Sequence, residues 1–168
     1  MLKEITATGF KGASQGGLAA GFSRDISTGG FAPKGYRIPG GQNPGLKFLG
    51  LEEHESEKIS AVVESNLFKA DAVLFFCTEI QSEMEKKILE MVDILNIPIL
   101  KVNITKPLDK RIVVNFIVHN KVKILHITGK TDTHSNKTVY SFVRNYVITI
   151  IDNQTFTMST DSDPTTFS

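Results

Sequence analysis

Three short, almost unbroken apolar runs constrain this chain more than any other feature. The runs are residues 72–77, 99–104 and 122–127. Their length and their content of Val, Ile, Leu and Phe are typical of β-strands buried on both faces. Apolar residues recur at helical spacing over 59–67, 80–95 and 139–147, and Asp109 is the predicted N-cap of a further helix over 111–119. With residues 4–8 as a first strand, we predict a single Rossmann-like α/β domain: a mainly parallel sheet with helices on both faces.

The first 37 residues are rich in glycine, since eight of the chain's 13 glycines lie between positions 9 and 35. Residues without a Cβ let backbone N–H groups approach an oxyanion closely, so the segment predicts a phosphate cradle. The alternative interpretation is that these glycines serve only tight turns. In the cradle, we expect Lys34 and Arg37 to neutralise the charge of the anion. The donors to phosphate are Gly12, Ser14, Gln15, Gly16 and Gly17.

Basic residues collect in the loops that follow the predicted strands. Those loops carry Lys11, Lys34, Arg37, Lys106, Lys110, Arg111, Lys130 and Lys137, against only Glu79, Asp109 and Asp132. The whole chain has a formal net charge of +1, so positive charge is concentrated at the carboxyl ends of the strands, where open α/β sheets bind ligands. This pattern favours a small anionic, phosphorylated ligand. A merely solvated basic rim is the alternative.

Other classes of function lack support in the sequence. The single cysteine, Cys77, is expected to be a small core residue, and His126 a hydrogen-bonded core residue. The four histidines lack metal-ligand spacing, and no nucleophile elbow, Walker loop or dinucleotide fingerprint is present, so neither metal nor cofactor is predicted. No basic run points to a nucleic acid polymer, and no apolar run or signal peptide points to a membrane or to secretion. A cytoplasmic protein is expected.

The two ends of the domain carry weaker signals. Residues 1–151 form the predicted domain, with a short strand near 47–51. Residues 152–168 are dominated by Thr, Ser, Asp and Asn, and we expect a mobile polar tail in which 155–158 is a candidate edge strand.

The order of motifs resembles the circularly permuted YpsA-like branch of the SLOG superfamily, whose members often carry the name of molybdenum cofactor carriers. The resemblance spans about residues 5–150. Its most specific motif is the Gly-Gly-x-x-Pro-Lys-Gly element. The motifs are the Gly/Gln-rich loop, Gly29-Gly30-Phe31-Ala32-Pro33-Lys34-Gly35, Glu52-Glu53-His54-Glu55-Ser56, Ala70-Asp71-Ala72-Val73-Leu74, Ile97-Pro98 and Ile127-Thr128-Gly129-Lys130.

The resemblance implies a Rossmann-like fold and a nucleotide-type ligand, because the superfamily includes nucleotide phosphoribohydrolases and sensors of signals related to ADP-ribose. Two departures bear on catalysis. The first loop keeps the family's glutamine as Gln15 but lacks its aspartate, and the stretch from Cys77 to Ser82 lacks the Gly-Gly-Thr turn. Glu79 and Glu83 are then candidate acids without an identifiable partner. Binding without turnover is therefore expected.

The leading hypothesis is a non-catalytic binder of an ADP-ribose derivative or a cyclic nucleotide, on whose base Phe31 or Tyr36 would stack. It would act as a sensor or a sequestering sponge in bacterial or phage conflict, in the host cytoplasm if phage-encoded. The alternatives are an N-glycosidase using Glu79 or Glu83 and a molybdenum cofactor carrier. A homodimer or homotetramer is expected by resemblance. The candidate ligand-binding residues are Lys11, Gly12, Ser14, Gln15, Gly16, Gly17, Phe31, Lys34, Gly35, Tyr36, Arg37, Thr78, Glu79, Ser82, Thr128, Gly129 and Lys130.

Overall fold

The computed structural model describes residues 1–133 and 135–161. The described chain contains eight strands and five helices, with short 3-10 turns at Lys34–Tyr36 and Pro44–Leu49. In chain order they are β1 Glu4–Thr6, α1 Ala13–Ser23, β2 Ser27–Ala32, β3 Arg37–Ile38, β4 Gly41–Gln42, β5 Leu51–Glu53, α2 Ile59–Lys69, β6 Ala72–Cys77, α3 Glu83–Ile94, β7 Ile99–Asn103, α4 Lys110–His119, β8 Ile124–Gly129 and α5 Thr138–Asp161.

Six strands form one sheet in the order β5-β2-β1-β8-β6-β7, and β3 pairs with β4 in a separate hairpin. Every pairing in the six-stranded sheet is parallel. The predicted Rossmann-like α/β architecture is therefore confirmed. Because the strands are parallel, their carboxyl ends lie along one side, which we call the carboxyl edge.

Helices cover both faces of the sheet, as predicted. On one face α1 packs against α5 and β8, and α5 also packs against α4. On the other face, α2 and α3 bury Val63, Leu67, Ile88 and Val92 against Val73 and Phe75 of β6. Right-handed crossover connections explain why the helices are divided between the two faces. A helix that connects strands in one direction along the sheet lies on one face, and a helix that connects them in the opposite direction lies on the other.

Most element boundaries fall within a few residues of the predicted ones. Asp109 caps α4, as predicted, by accepting a hydrogen bond from the Arg111 N–H. The strand expected over 47–51 is wrong, because the Pro44–Leu49 turn occupies that segment and β5 begins only at Leu51. A candidate edge strand over 155–158 is also wrong, because α5 continues through it to Asp161. The remainder of the predicted tail, 162–168, lies outside the described residues.

Two predicted core residues lie in the sheet. His126 is fully buried in β8, where its Nδ1 lies 3.0 Å from the Thr6 hydroxyl. This burial lowers the pKa of His126 to about 4, so the imidazole is neutral at physiological pH. Cys77 is half-buried at the end of β6 and packs against the core on the α2–α3 face. Burial raises the pKa of its thiol, which opposes nucleophilic reactivity. Within the described residues, no helix has the length and apolar character that crossing a membrane requires.

Candidate functional site

The loops that follow β1 and β8 are joined at the carboxyl edge by an antiparallel bridge between Gly12 and Thr131. The Ala13 N–H donates to the Lys130 carbonyl at 3.0 Å, and the Asp132 N–H donates to the Lys11 carbonyl at 3.2 Å. Gly12 has a φ of +104°, and a Cβ there would lie 2.5 Å from the Lys130 carbonyl oxygen. The bridge therefore requires glycine at this position.

A pocket of about 360 Å³ lies beside this bridge, between the first turns of α1 and α5. We call it the edge pocket. Its described lining combines two lysines with one carboxylate, an amide, two hydroxyls and an aromatic ring. Its lining residues are Lys11, Gly12, Gln15, Asp132, Thr133, Lys137 and Tyr140. Lys11, Gly12 and Gln15 were predicted as site residues, and the structure brings these three together.

The start of α1 meets the edge pocket at Gly12, and the first turn of this helix contains no acidic residue and no side-chain cap. Carbonyl groups already accept from the N–H groups of Ala13, Gln15 and Gly16. A helix N-terminus carries partial positive charge, so this end of α1 favours an anion.

The start of α5 differs, because a carboxylate of the chain already occupies it. Asp132 accepts hydrogen bonds from the backbone N–H groups of Val139, at 3.0 Å, and Tyr140, at 2.8 Å. Both carboxylate oxygens of Asp132 are thus engaged. In the edge pocket, an incoming anion would meet the start of α1 and the two lysines, with the start of α5 already neutralised.

Gly16 and Gly17 do not form a phosphate-binding loop, which corrects the predicted cradle. Both lie within α1, so their N–H groups serve the helix. A Cβ on Gly16 would lie 2.8 Å from the Tyr140 carbonyl oxygen of α5, and one on Gly17 would lie 2.8 Å from the Ile127 side chain. These glycines let α1 approach α5 and β8 closely. The Gln15 amide is also engaged, because it donates to the Gly9 carbonyl at 2.9 Å.

Ser14, Thr128 and Gly129 surround a separate and much smaller cavity, of about 10 Å³, on the side of α2 and α3. That space holds about one water molecule, so it does not admit a phosphate. Gly129 has a structural role, since a Cβ there would lie 2.0 Å from the Phe76 carbonyl oxygen of β6. These three predicted site residues therefore do not line the edge pocket.

The cluster predicted around Gly35 lies further along the carboxyl edge, past β2. Two strand spacings, or about 10 Å, separate β2 from β8, and no residue of this cluster lines the edge pocket. Lys34 and Arg37 are exposed, and the Gly35 N–H donates to a Glu53 carboxylate oxygen at 2.6 Å. The predicted single site is thus divided.

The two aromatic rings proposed for base stacking have partners of their own. The Phe31 ring makes an edge contact with His54 at 5.5 Å between centroids, and the Lys69 ammonium lies 4.4 Å from the Phe31 centroid. The Tyr36 hydroxyl donates to the Leu51 carbonyl at 3.3 Å. Neither ring lines the edge pocket, whose described lining includes the aromatic residue Tyr140.

The loop after β6 is organised by the start of α3. Ser82 caps the helix in a reciprocal capping box with Glu85: the Glu85 N–H donates to the Ser82 hydroxyl, and the Ser82 N–H to a Glu85 carboxylate oxygen. The Thr78 hydroxyl and the Lys130 ammonium both donate to the Ile80 carbonyl, each at 3.1 Å. The predicted ligand-binding residues Thr78, Ser82 and Lys130 thus stabilise this loop.

The buried acid in the first turn of α3 is Glu85. It was not predicted, because the acids considered as candidates were Glu79 and Glu83. Glu79 is exposed, and Glu83 forms an exposed ion pair with Lys86 at 3.2 Å. Glu85 is 3 % exposed, and its second oxygen has no partner among the described residues. The Ser-x-x-Glu spacing of a capping box was the signal that identifies it. The described residues contain no group of three or more potential metal ligands.

The basic residues at the strand ends do not form one surface. Arg111 is paired with Asp109 at 3.1 Å, and the Lys130 ammonium is bound to the Ile80 carbonyl. Lys34 and Arg37 lie past β2, at some distance from β8. Lys11 and Lys137 are the two that line the edge pocket. Local charge at this pocket, rather than a continuous basic rim, is what an anionic ligand would meet.

Comparison with known proteins identifies the family. The model of the circularly permuted YpsA SLOG family matches residues 5–151, so the chain belongs to this family. Among solved structures, the fold is similar to that of a proposed molybdenum carrier protein from Syntrophus aciditrophicus SB, with 19% sequence identity and a TM-score of 0.78. The match covers 89% of this chain and 95% of that one. No curated protein gives a significant match.

Proposed function

We propose that this SLOG-family chain binds a small phosphorylated nucleotide-type ligand in the edge pocket without turning it over. The observation that carries the proposal is the start of α1. It has no acidic residue in its first turn and meets, at Gly12, a pocket that also contains Lys11 and Lys137. Helix N-termini and lysine ammonium groups both favour phosphate oxygens.

The size and lining of the pocket support a ligand of nucleotide class. Its volume of about 360 Å³ lies at the lower end of the range of small-molecule sites, about 300–1,000 Å³. A phosphate and ribose fit within that space, and a larger dinucleotide such as ADP-ribose would extend onto the surface. The half-buried Tyr140 ring offers a face for stacking a base, a role that was first assigned to Phe31 or Tyr36.

The absence of turnover is inferred from the acids near the pocket. Cleavage of a glycosidic bond needs a group that can donate or accept a proton at the reacting atoms. Among the described residues, Asp132 is the carboxylate that lines the edge pocket, and both of its oxygens accept N–H groups of α5. We therefore favour a sensor or a sequestering sponge over a phosphoribohydrolase.

The test uses ADP-ribose and AMP as probes with the full chain. Titration calorimetry on Lys11→Ala and Lys137→Ala should show dissociation constants weakened about tenfold each, because each loses a charge-assisted contact to phosphate. Lys87→Ala, which removes an exposed lysine from α3, is the matched control and should bind normally. Equal binding by all three variants would contradict the placement of the ligand in the edge pocket.

Turnover is tested on the same mixtures by chromatography of the small molecules after denaturation of the protein. Recovery of intact ADP-ribose supports binding alone. Release of a free base or of ribose phosphate would instead favour the N-glycosidase alternative.

A second candidate function, carriage of the molybdenum cofactor, is favoured by the similarity in fold to a proposed molybdenum carrier. The phosphate of the pterin cofactor would use the same lysines and the same helix end. Competition between AMP and molybdopterin for the wild-type chain distinguishes the two. If molybdopterin binds and AMP does not, the nucleotide proposal is wrong.

A further inference from the structure

A second recess, larger than the edge pocket, lies between α4 and α5. We call it the α4–α5 cleft. Its volume is about 820 Å³, and its walls include Leu108, Val114, Phe142 and Tyr146. This volume is within the range of sites that hold small organic molecules. The predicted ligand-binding residues do not include any residue of this cleft.

The cleft is separate from the edge pocket, although α5 contributes to both. Tyr140 lines the edge pocket, whereas Phe142 and Tyr146 line the cleft. Successive residues of an α-helix are rotated by about 100°, so Phe142 lies on the side of α5 opposite to Tyr140. Tyr146 follows Phe142 by four residues and therefore shares its side.

The lining of the cleft includes two aromatic rings of α5. The Phe142 and Tyr146 rings are stacked, with centroids 5.5 Å apart and planes 20° from parallel. Both rings rest edge-on against Phe76, which fixes their orientation. The Tyr146 hydroxyl donates to the Leu108 carbonyl at 2.8 Å, so the polar end of this ring is already satisfied. Phe142 is half-buried and presents an aromatic surface to the cleft.

The rim of the cleft carries two cations and one carboxylate, Lys110, Arg111 and Asp109. Arg111 forms a two-pronged ion pair with Asp109, with contacts of 3.2 and 3.1 Å. Hydrogen bonds from Arg111, with a smaller contribution from the charge of Lys110, hold the pKa of Asp109 below its usual range. Lys110 is half-buried and forms no ion pair within the part of the chain that the structure describes. Among the described residues, one positive charge of the rim therefore has no ion-pair partner.

We propose that the α4–α5 cleft binds a small organic monoanion with a flat ring. The ring would lie against Phe142, and the anionic group would contact the Lys110 ammonium. Asp109 already caps the start of α4, so the helix end contributes nothing to this contact. Asn115 is an exposed residue of the cleft lining. This inference does not depend on the ligand of the edge pocket.

The experiment titrates the isotopically labelled full chain with 1-naphthoate and with its neutral analogue, 1-naphthalenemethanol. We expect the amide signals of α4 and of the first half of α5 to shift with naphthoate. The neutral analogue should bind about fivefold more weakly, because it lacks the contact with Lys110. Naphthoate shifts confined to the edge pocket, or no shifts at millimolar concentration, would overturn the proposal. Equal affinity for the two compounds would overturn the proposed contact between the anionic group and Lys110.

Three variants make the assignment specific. Lys110→Gln should lower the affinity for naphthoate to that for the neutral analogue. Lys87→Gln should leave the affinity for both compounds unchanged. Asn115→Trp fills the opening from an exposed position, and it should abolish binding of both compounds while leaving the fold unchanged by circular dichroism. If Asn115→Trp binds naphthoate normally, the cleft is not the site. If the wild-type chain sediments as a dimer that Asn115→Trp dissociates, the cleft is an interface between two copies, and the ligand proposal is wrong.

Discussion

The buried imidazole of His126 makes the stability of this chain depend on pH in a calculable way. Its ordinary pKa of 6.5 is lowered to about 4 in the folded state because the ring is fully buried. The unfolded chain therefore binds a proton more readily than the folded chain. The contribution of this group to stability is fully present above pH 6.5 and is lost as the pH falls from 6.5 towards 4. Each pH unit in that range removes up to about 1.4 kcal/mol, so the whole loss is about 3 kcal/mol.

The assay is urea unfolding at pH 7.5 and pH 4.5 for the wild type and His126→Gln. The wild type should lose about 2 to 3 kcal/mol more than the variant between the two conditions. Carboxylates titrate in both proteins, and their contributions cancel in the comparison. His119→Gln, which removes an exposed imidazole from α4, is the control and should follow the wild type. Equal pH dependence in the wild type and His126→Gln would refute the reasoning, because the folded state would then accept the proton freely.

Three further substitutions, two of them with a matched control variant, test local contacts of the fold by urea unfolding. Asn66→Ala should destabilise the fold by about 2 kcal/mol. The buried Asn66 amide accepts from the Phe31 N–H at 2.7 Å and donates to the Phe31 carbonyl at 3.0 Å. No loss of stability would mean that water replaces the amide. Gly129→Ala places a Cβ 2.0 Å from a backbone oxygen of β6 and should cost more than about 3 kcal/mol. Gly41→Ala, also at a positive φ but with nothing within 4 Å, isolates the conformational strain, so similar losses would contradict the clash. Ser82→Ala removes the cap of α3 and should cost about 1 kcal/mol, whereas Ser82→Thr should retain most of the stability.

The elements that could be predicted are those whose signals are local. The run from Ala72 to Cys77 is strand β6 because a continuous apolar segment of that length must be buried on both faces,. Asp109 caps α4 because a carboxylate two residues before an N–H of the first turn can accept from it without help from the rest of the fold,. The family resemblance also depends on the order of local motifs, and the family match over 5–151 confirms it.

The candidate site was predicted less well, because proximity across the sheet is not encoded in chain order. β8 comes last among the strands yet lies between β1 and β6. That position brings Lys137 and Tyr140, which follow β8, close to Lys11. Lys34 follows β2, which is two strand positions from β8. Self-association and the cellular setting stay predictions.

The glycines of α1 illustrate the division between sequence and tertiary structure most clearly. The sequence alone determined an α/β fold, its family and a concentration of small and basic residues near the carboxyl ends of the strands. A glycine-rich segment, however, is compatible both with an open loop and with a helix that another element approaches closely. Only the packing of Gly16 against α5 and of Gly17 against Ile127 decided between them. The absence of a Cβ is a local property, whereas the atom that comes to occupy the space is set by the rest of the chain.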